Sequence, residues 1–124
     1  MSNGRILVVE DNMDTYQLMN FFLVKYGYET LQAVNGRDGV AAAIKQKPDL
    51  IIMDLAMPEM DGWTATEKIK KDPQTLAIPL IAVTAHALPG DRQRAMDAGC
   101  DEYIPKPIDL QELLRTIQHW MSRE

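Results

Sequence analysis

Three stretches of the chain are apolar without interruption: Ile6–Val9, Leu50–Met53 and Leu80–Val83. Runs that are continuous rather than alternating mark strands buried on both faces, as in the interior of a parallel sheet. Two more polar segments, Glu29–Ala33 and Glu102–Pro105, are weaker strand candidates. Pro105 has no N–H to give a neighbouring strand, which places its segment at an edge. Longer stretches of helical character separate the runs. The first spans roughly Met13–Tyr26 and stops at Gly27; the second, Gly36–Lys47, stops before Pro48. The third starts behind an Asp61 cap and reaches Lys71, ahead of Pro73. The fourth covers Pro89–Ala98 and ends at Gly99, and the fifth fills Leu110–Ser122 behind an Asp109 cap. Five strands alternating with five helices predict a three-layer, doubly wound α/β fold on a five-stranded parallel sheet. Residues 1–124 form one domain on this reading.

Composition excludes classes rather than choosing among folds. With 46% hydrophobic and 25% charged residues, the chain matches an average soluble globular protein, not a disordered or collagen-like one. No run approaches the ~18 apolar residues of a membrane span, and no basic-then-apolar leader opens the chain. The lone Cys100 has no internal disulfide partner, which fits a reducing, cytoplasmic compartment. Eighteen acidic residues against 13 basic ones give a net charge of −5, with no basic footprint for nucleic acid. An acidic protein that holds a phosphate needs something to cancel the repulsion.

Ligands of doubly wound folds bind beyond the carboxyl ends of the strands, where the strand order reverses. The residues that follow each apolar run are therefore the candidates for chemistry. They are Glu10-Asp11-Asn12, then Asp54, then Thr84-Ala85-His86, and finally Lys106-Pro107. Gathered within a few ångströms, Glu10, Asp11 and Asp54 repel one another, and like charges raise the pKa of at least one of them. Either one acid stays protonated or a hard cation sits among them. Oxygen ligands suit Mg²⁺, and Mn²⁺ can substitute. The plainer alternative is that Glu10 and Asp11 only cap the first helix, where its dipole stabilises acidic groups. The convergence of Asp54 and Lys106 on the same edge weighs against it.

Glu10-Asp11, Asp54 within Met53-Asp54-Leu55-Ala56-Met57-Pro58, Met60-Asp61-Gly62, Thr84-Ala85 and Lys106-Pro107 together resemble the response-regulator receiver domain of two-component signalling. The resemblance runs from Arg5 to the last helix. It implies a flavodoxin-like sheet of order 2-1-3-4-5 and a Mg²⁺-dependent phosphorelay role. Asp54 is then the phosphoacceptor, charged by a histidine kinase, a histidine phosphotransfer protein or a small donor such as acetyl phosphate. Asp11, Asp54 and the backbone carbonyl of Ala56 hold Mg²⁺ directly, and Glu10 holds it through water. Lys106 pairs with a phosphoryl oxygen, and Thr84 donates its hydroxyl to another. Thr84 and Tyr103 form the switch, which biases a partner-binding face built from the fourth helix, fifth strand and fifth helix toward an unknown protein target. Phosphorylation adds about −1.5 to −2 of charge and three strong acceptor oxygens. The resemblance also implies a cis Lys106-Pro107 peptide. It gives Ala56 and His86, two residues beyond Asp54 and Thr84, an influence on how fast the phosphoryl group is lost; the plainer reading of His86 is a solvated loop histidine. Such a domain assists only its own phosphorylation and dephosphorylation, so it is not a turnover enzyme.

Several residues lie outside this core pattern. If Leu18, Phe22 and Tyr26 face the sheet, Met13, Phe21 and Val24 point elsewhere and form either scattered surface hydrophobes or a docking patch. Met57, Pro58 and Ile108 rim the site and extend that patch. Ile108 stands where many DNA-binding members of the family carry an aromatic, which resembles stand-alone regulators and the receivers of hybrid kinases. The start at Met1 and the end at residue 124 suggest a stand-alone protein, monomeric or transiently dimeric, without an output domain. Two alternatives are a receiver excised from a hybrid histidine kinase and a Mg²⁺-dependent phosphohydrolase that uses Asp54 as nucleophile. The phosphohydrolase would present a second acid two residues after Asp54, where Ala56 stands. A flavodoxin-like FMN binder fits less well, because the anionic Glu10-Asp11-Asn12 loop repels a phosphate.

Overall fold

The computed structural model describes residues 3–56, 61–85 and 88–122. In chain order the elements are β1 (Arg5–Val9), α1 (Met13–Lys25), β2 (Glu29–Ala33), α2 (Gly36–Gln46), β3 (Leu50–Asp54), α3 (Gly62–Lys71), β4 (Leu80–Thr84), α4 (Asp91–Ala98), β5 (Glu102–Pro105) and α5 (Leu110–Met121). The five strands form one parallel sheet in the order β2-β1-β3-β4-β5. The three uninterrupted apolar runs occupy the three interior positions. The two polar candidates take the edges, where one face of hydrogen-bonding groups meets no neighbouring strand.

Side chains alternate across the sheet and so divide the core in two. Leu7, Val9, Ile51, Met53, Leu80 and Ala82 pack beneath α2, α3 and α4, against Ala43, Ala65, Ile69 and Ala95. Ile6, Val8, Ile52, Ile81, Val83 and Ile104 face the other way, onto Met19, Phe22 and Leu23 of α1 and Leu113, Leu114 and Ile117 of α5. Burying both faces at roughly 25 cal/mol per Å² of apolar surface is what drives the layers together. The Asp61 and Asp109 caps form as expected: Asp61 accepts from the Thr64 N–H at 2.8 Å, and Asp109 from the Gln111 N–H at 2.9 Å.

The structure departs from the sequence reading at helix ends and on one helix face. Tyr26 and Lys47 are cap residues beyond α1 and α2, and α4 starts at Asp91 rather than Pro89. Leu18 does not face the sheet; it is 58% exposed, and Met19 takes the buried place beside Phe22 and Leu23. No helix among the described residues is long and apolar enough to cross a membrane.

Candidate functional site

Strand register assembles the site. β1 and β3 align with Val9 opposite Met53, so Glu10 and Asp54 each stand one residue further along, at the point where strand order reverses. Asp54 lies opposite Val83 on β4, so Thr84 ends the next strand just beyond it. Thr84 in turn pairs with Pro105 of β5, which delivers Lys106 to the same edge. The Lys106 N–H donates to the Thr84 carbonyl at 2.7 Å, and the Lys106-Pro107 peptide is cis.

Glu10 and Asp54 are buried, at 2% and 5% exposure, while Asp11 is open to solvent. One carboxylate oxygen from each lies within 4.8 Å of the others. Lys106 Nζ donates to Glu10 Oε1 at 3.0 Å and to Asp54 Oδ2 at 3.4 Å. The other oxygen of Asp54 accepts the Ala56 N–H at 3.0 Å, and the Asn12 N–H donates to Glu10 Oε2 at 3.2 Å. Behind Asp54, α3 begins so close that a methyl group on Gly62 would overlap the Asp54 carbonyl and the Leu55 Cα. Glycine is therefore required there.

The charges are unbalanced. Burial, reinforced by the charge of Asp54, pushes Glu10 from 4.5 up to about 7, against the pull of Lys106 and the Asn12 N–H. Burial also disfavours the Lys106 ammonium, but its hydrogen bond to Glu10 and the charges of Asp54 and Glu10 outweigh that and hold its pKa above the ordinary value. One ammonium does not neutralise three carboxylates. The set consists entirely of hard oxygen donors with one member facing water, which fits Mg²⁺. The helix-capping alternative for Glu10 and Asp11 fails on geometry: the cap of α1 is Asn12, whose side chain accepts the Thr15 N–H at 3.0 Å.

Thr84 and Tyr103 share the face beneath α4, because Ala82 pairs with Tyr103 and Thr84 lies two residues past Ala82. Tyr103 is 8% exposed, and its hydroxyl has no hydrogen-bond partner among the described residues. The hydroxyl is thus shielded from water, and burial pushes its pKa up. Met57, Pro58 and His86 lie outside the described residues. The ion pair between Glu10 and Lys106 was not foreseen from sequence, because the two stand 96 positions apart and no local signal links them.

Comparison with known proteins agrees with this geometry. The family described as "Response regulator receiver domain" matches residues 6–118. Protein PilH of Pseudomonas aeruginosa is 41% identical over 114 residues, covering 92% of this chain and 94% of PilH. The polar-differentiation response regulator DivK of Brucella anthropi is 38% identical over 117 residues, covering 94% of this chain and 95% of DivK. Among solved structures, the receiver domain of sensor histidine kinase PA1611 from Pseudomonas aeruginosa superposes with a TM-score of 0.89 at 36% identity, covering 97% of this chain and 98% of that one. It carries a magnesium ion in its active-site cleft.

Proposed function

Because this chain belongs to the response-regulator receiver family, we propose that Asp54 is its phosphoacceptor and that the edge built by Glu10, Asp11, Asp54, Thr84 and Lys106 carries out the transfer. The observation that supports this most strongly is the meeting of three carboxylates within 4.8 Å with a lysine 3.4 Å from Asp54 Oδ2. An acidic notch with one built-in cation suits a phosphoryl group once a divalent ion has balanced the remaining charge. Glu10, Asp11, Asp54 and the Ala56 carbonyl would hold Mg²⁺, with Mn²⁺ as a substitute, and the ion supplies charge neutralisation for the incoming phosphoryl oxygens.

The chain's own residues do the rest. An Asp54 carboxylate oxygen forms a bond to phosphorus as the P–N bond of a donor phosphohistidine breaks, and the released imidazole takes a proton from water. With acetyl phosphate, the P–O bond breaks and acetate leaves. The Ala56 N–H on Asp54 Oδ1 orients the carboxylate so that its second oxygen faces Lys106. Lys106 then serves a phosphoryl oxygen as a point charge, and the Thr84 hydroxyl donates to another. Drawing Thr84 toward the phosphate disturbs the face it shares with Tyr103, which is how charge at Asp54 reaches the surface formed by α4, β5 and α5. The chain acts as a signalling acceptor in this scheme. Ala56, where a hydrolase would carry its second acid, speaks against turnover on external esters.

The donor is a histidine kinase or histidine phosphotransfer domain, and α1 offers it a surface. Leu18 and Phe21, 58% and 71% exposed, lie three residues apart on one helical face. Leu18 also lines a groove of about 290 Å³ with Pro107 and Ile108, directly beside Lys106. Incubation with acetyl phosphate and Mg²⁺, followed by intact-mass measurement, tests the assignment. A single added phosphoryl group, absent from Asp54→Asn and from metal-free samples, is expected. Labelling that survives Asp54→Asn overturns it.

A further inference from the structure

Helix α4 is held by less than its neighbours. It buries Ala95 alone, whereas each of the other helices buries three or four residues. It is flanked by Gly90 at φ 90° and Gly99 at φ 108°, left-handed positions that favour glycine, and Gly90 provides no capping side chain. Beneath it, between α3 and α4, lies a cleft of about 480 Å³ lined by Trp63, Glu67, Gly90, Arg94 and Asp97. Across this cleft the Arg94 guanidinium carbon sits 4.1 Å from the centre of the Trp63 ring, a cation–π contact. Trp63 is the second residue of α3 and follows Gly62, the glycine pressed against Asp54 and Leu55. The stack therefore joins a helix anchored on the phosphoacceptor strand to one that starts shortly after Thr84.

We propose that the Arg94–Trp63 stack is a restraint on switching, pinning α4 to α3 in the unphosphorylated arrangement so that its loss biases the domain toward the phosphoryl-bound one. The proposal rests on the reading of Asp54 as the phosphoacceptor. At 4.1 Å the cation is in contact with the ring, so a rotation of α4 about its glycine ends that moves Arg94 away from α3 breaks the stack. A contact made in only one of two arrangements shifts their equilibrium by its own free energy, and while the other arrangement is the minor one the apparent affinity of a ligand selective for it shifts by the same factor. An exposed cation–π contact is worth about a two- to fivefold change in such an equilibrium.

The test titrates the full chain with beryllium fluoride, a phosphoryl mimic, in the presence of Mg²⁺, and follows the bound fluorides by ¹⁹F NMR. Arg94→Gln and Trp63→Leu are each expected to bind about two- to fivefold more tightly than the unaltered chain, and the double variant no more tightly than either single one. Arg94→Lys, which keeps the charge but not the planar fork, falls between. Thermal unfolding confirms that each variant is folded. Unchanged or weakened binding in Arg94→Gln overturns the restraint, as does additive tightening in the double variant. Absence of fluoride binding by the unaltered chain overturns the phosphoacceptor reading itself, and the restraint with it.

Discussion

Lys106 Nζ sits nearer to Glu10 Oε1, at 3.0 Å, than to Asp54 Oδ2, at 3.4 Å. The resting lysine thus leans on the buried acid of β1 rather than on the proposed nucleophile. Glu10 nevertheless remains a costly charge, since burial and Asp54 lift it from 4.5 to about 7. Between those values the folded state binds a proton that the unfolded state releases, so stability falls as pH rises through that window. Below pH 4.5 both states are protonated and the favourable contribution is complete; above 7 it is gone. Glu10→Gln mimics the protonated acid without titrating. Denaturant unfolding of the metal-free protein should show Glu10→Gln gaining about 3 kcal/mol on the unaltered chain between pH 4.5 and 7.5. Saturating Mg²⁺ should shrink that difference if, as proposed, the ion is held by the ionised acid.

Tyr103 carries a buried hydroxyl with no partner among the described residues. An orphaned polar group costs roughly 1–3 kcal/mol of desolvation, which removing the group recovers. Tyr103→Phe is therefore expected to leave stability unchanged or raise it by up to about 1 kcal/mol, measured by urea unfolding without phosphoryl donor. If that hydroxyl finds its partner only once Asp54 is phosphorylated, the same variant should still be labelled by acetyl phosphate yet bind its output partner less well. A loss of more than about 1 kcal/mol in the resting state would mean that the hydroxyl is already bonded.

Much of this architecture was legible in the sequence because its signals are local. The apolar runs that became β1, β3 and β4, and the Asp61 and Asp109 caps, each depend on a few neighbouring residues. Adding the alternation of strands and helices was enough to send Glu10, Asp54, Thr84 and Lys106 to one edge. The face of α1 was misread for an equally local reason. Leu18, Met19, Phe21, Phe22, Leu23 and Val24 are all apolar, so periodicity does not set the phase of the helix, and only packing against Ile6 and Val8 chooses Met19 over Leu18. Contacts between distant residues left no trace. The Glu10–Lys106 pair and the stack of Arg94 on Trp63 arise from strand order and helix placement, which no short window contains.

Gly62 should be among the least replaceable residues of the domain. A methyl group there meets backbone atoms of Asp54 and Leu55, which have no rotamer to escape into. The N–H of Gly62 also donates to the Leu55 carbonyl at 3.0 Å, tying the start of α3 to the end of β3. In Gly62→Ala either the helix retreats or Asp54 shifts, at a cost on the order of 3 kcal/mol or more, comparable with overpacking a core. Unfolding measurements should show that loss, and acetyl phosphate labelling of the folded fraction should be slower, because the carboxylate no longer points at Lys106. Full labelling at unaltered stability would show that the backbone there yields easily.

The exposed apolar face of α1 separates docking from chemistry. Leu18 and Phe21 contribute little to the core, at 58% and 71% exposure, so replacing both by Asp should lower stability by no more than about 1 kcal/mol. Labelling by acetyl phosphate, which needs no protein surface, should proceed at the unaltered rate. Transfer from a phosphorylated histidine on a donor protein that labels the unaltered chain should fall at least tenfold, since two apolar anchors and the groove beside Lys106 are lost together and two carboxylates are added to an already acidic partner. A uniform loss with both donors would place the defect in the acidic notch. An unchanged rate with the protein donor would remove α1 from the docking surface.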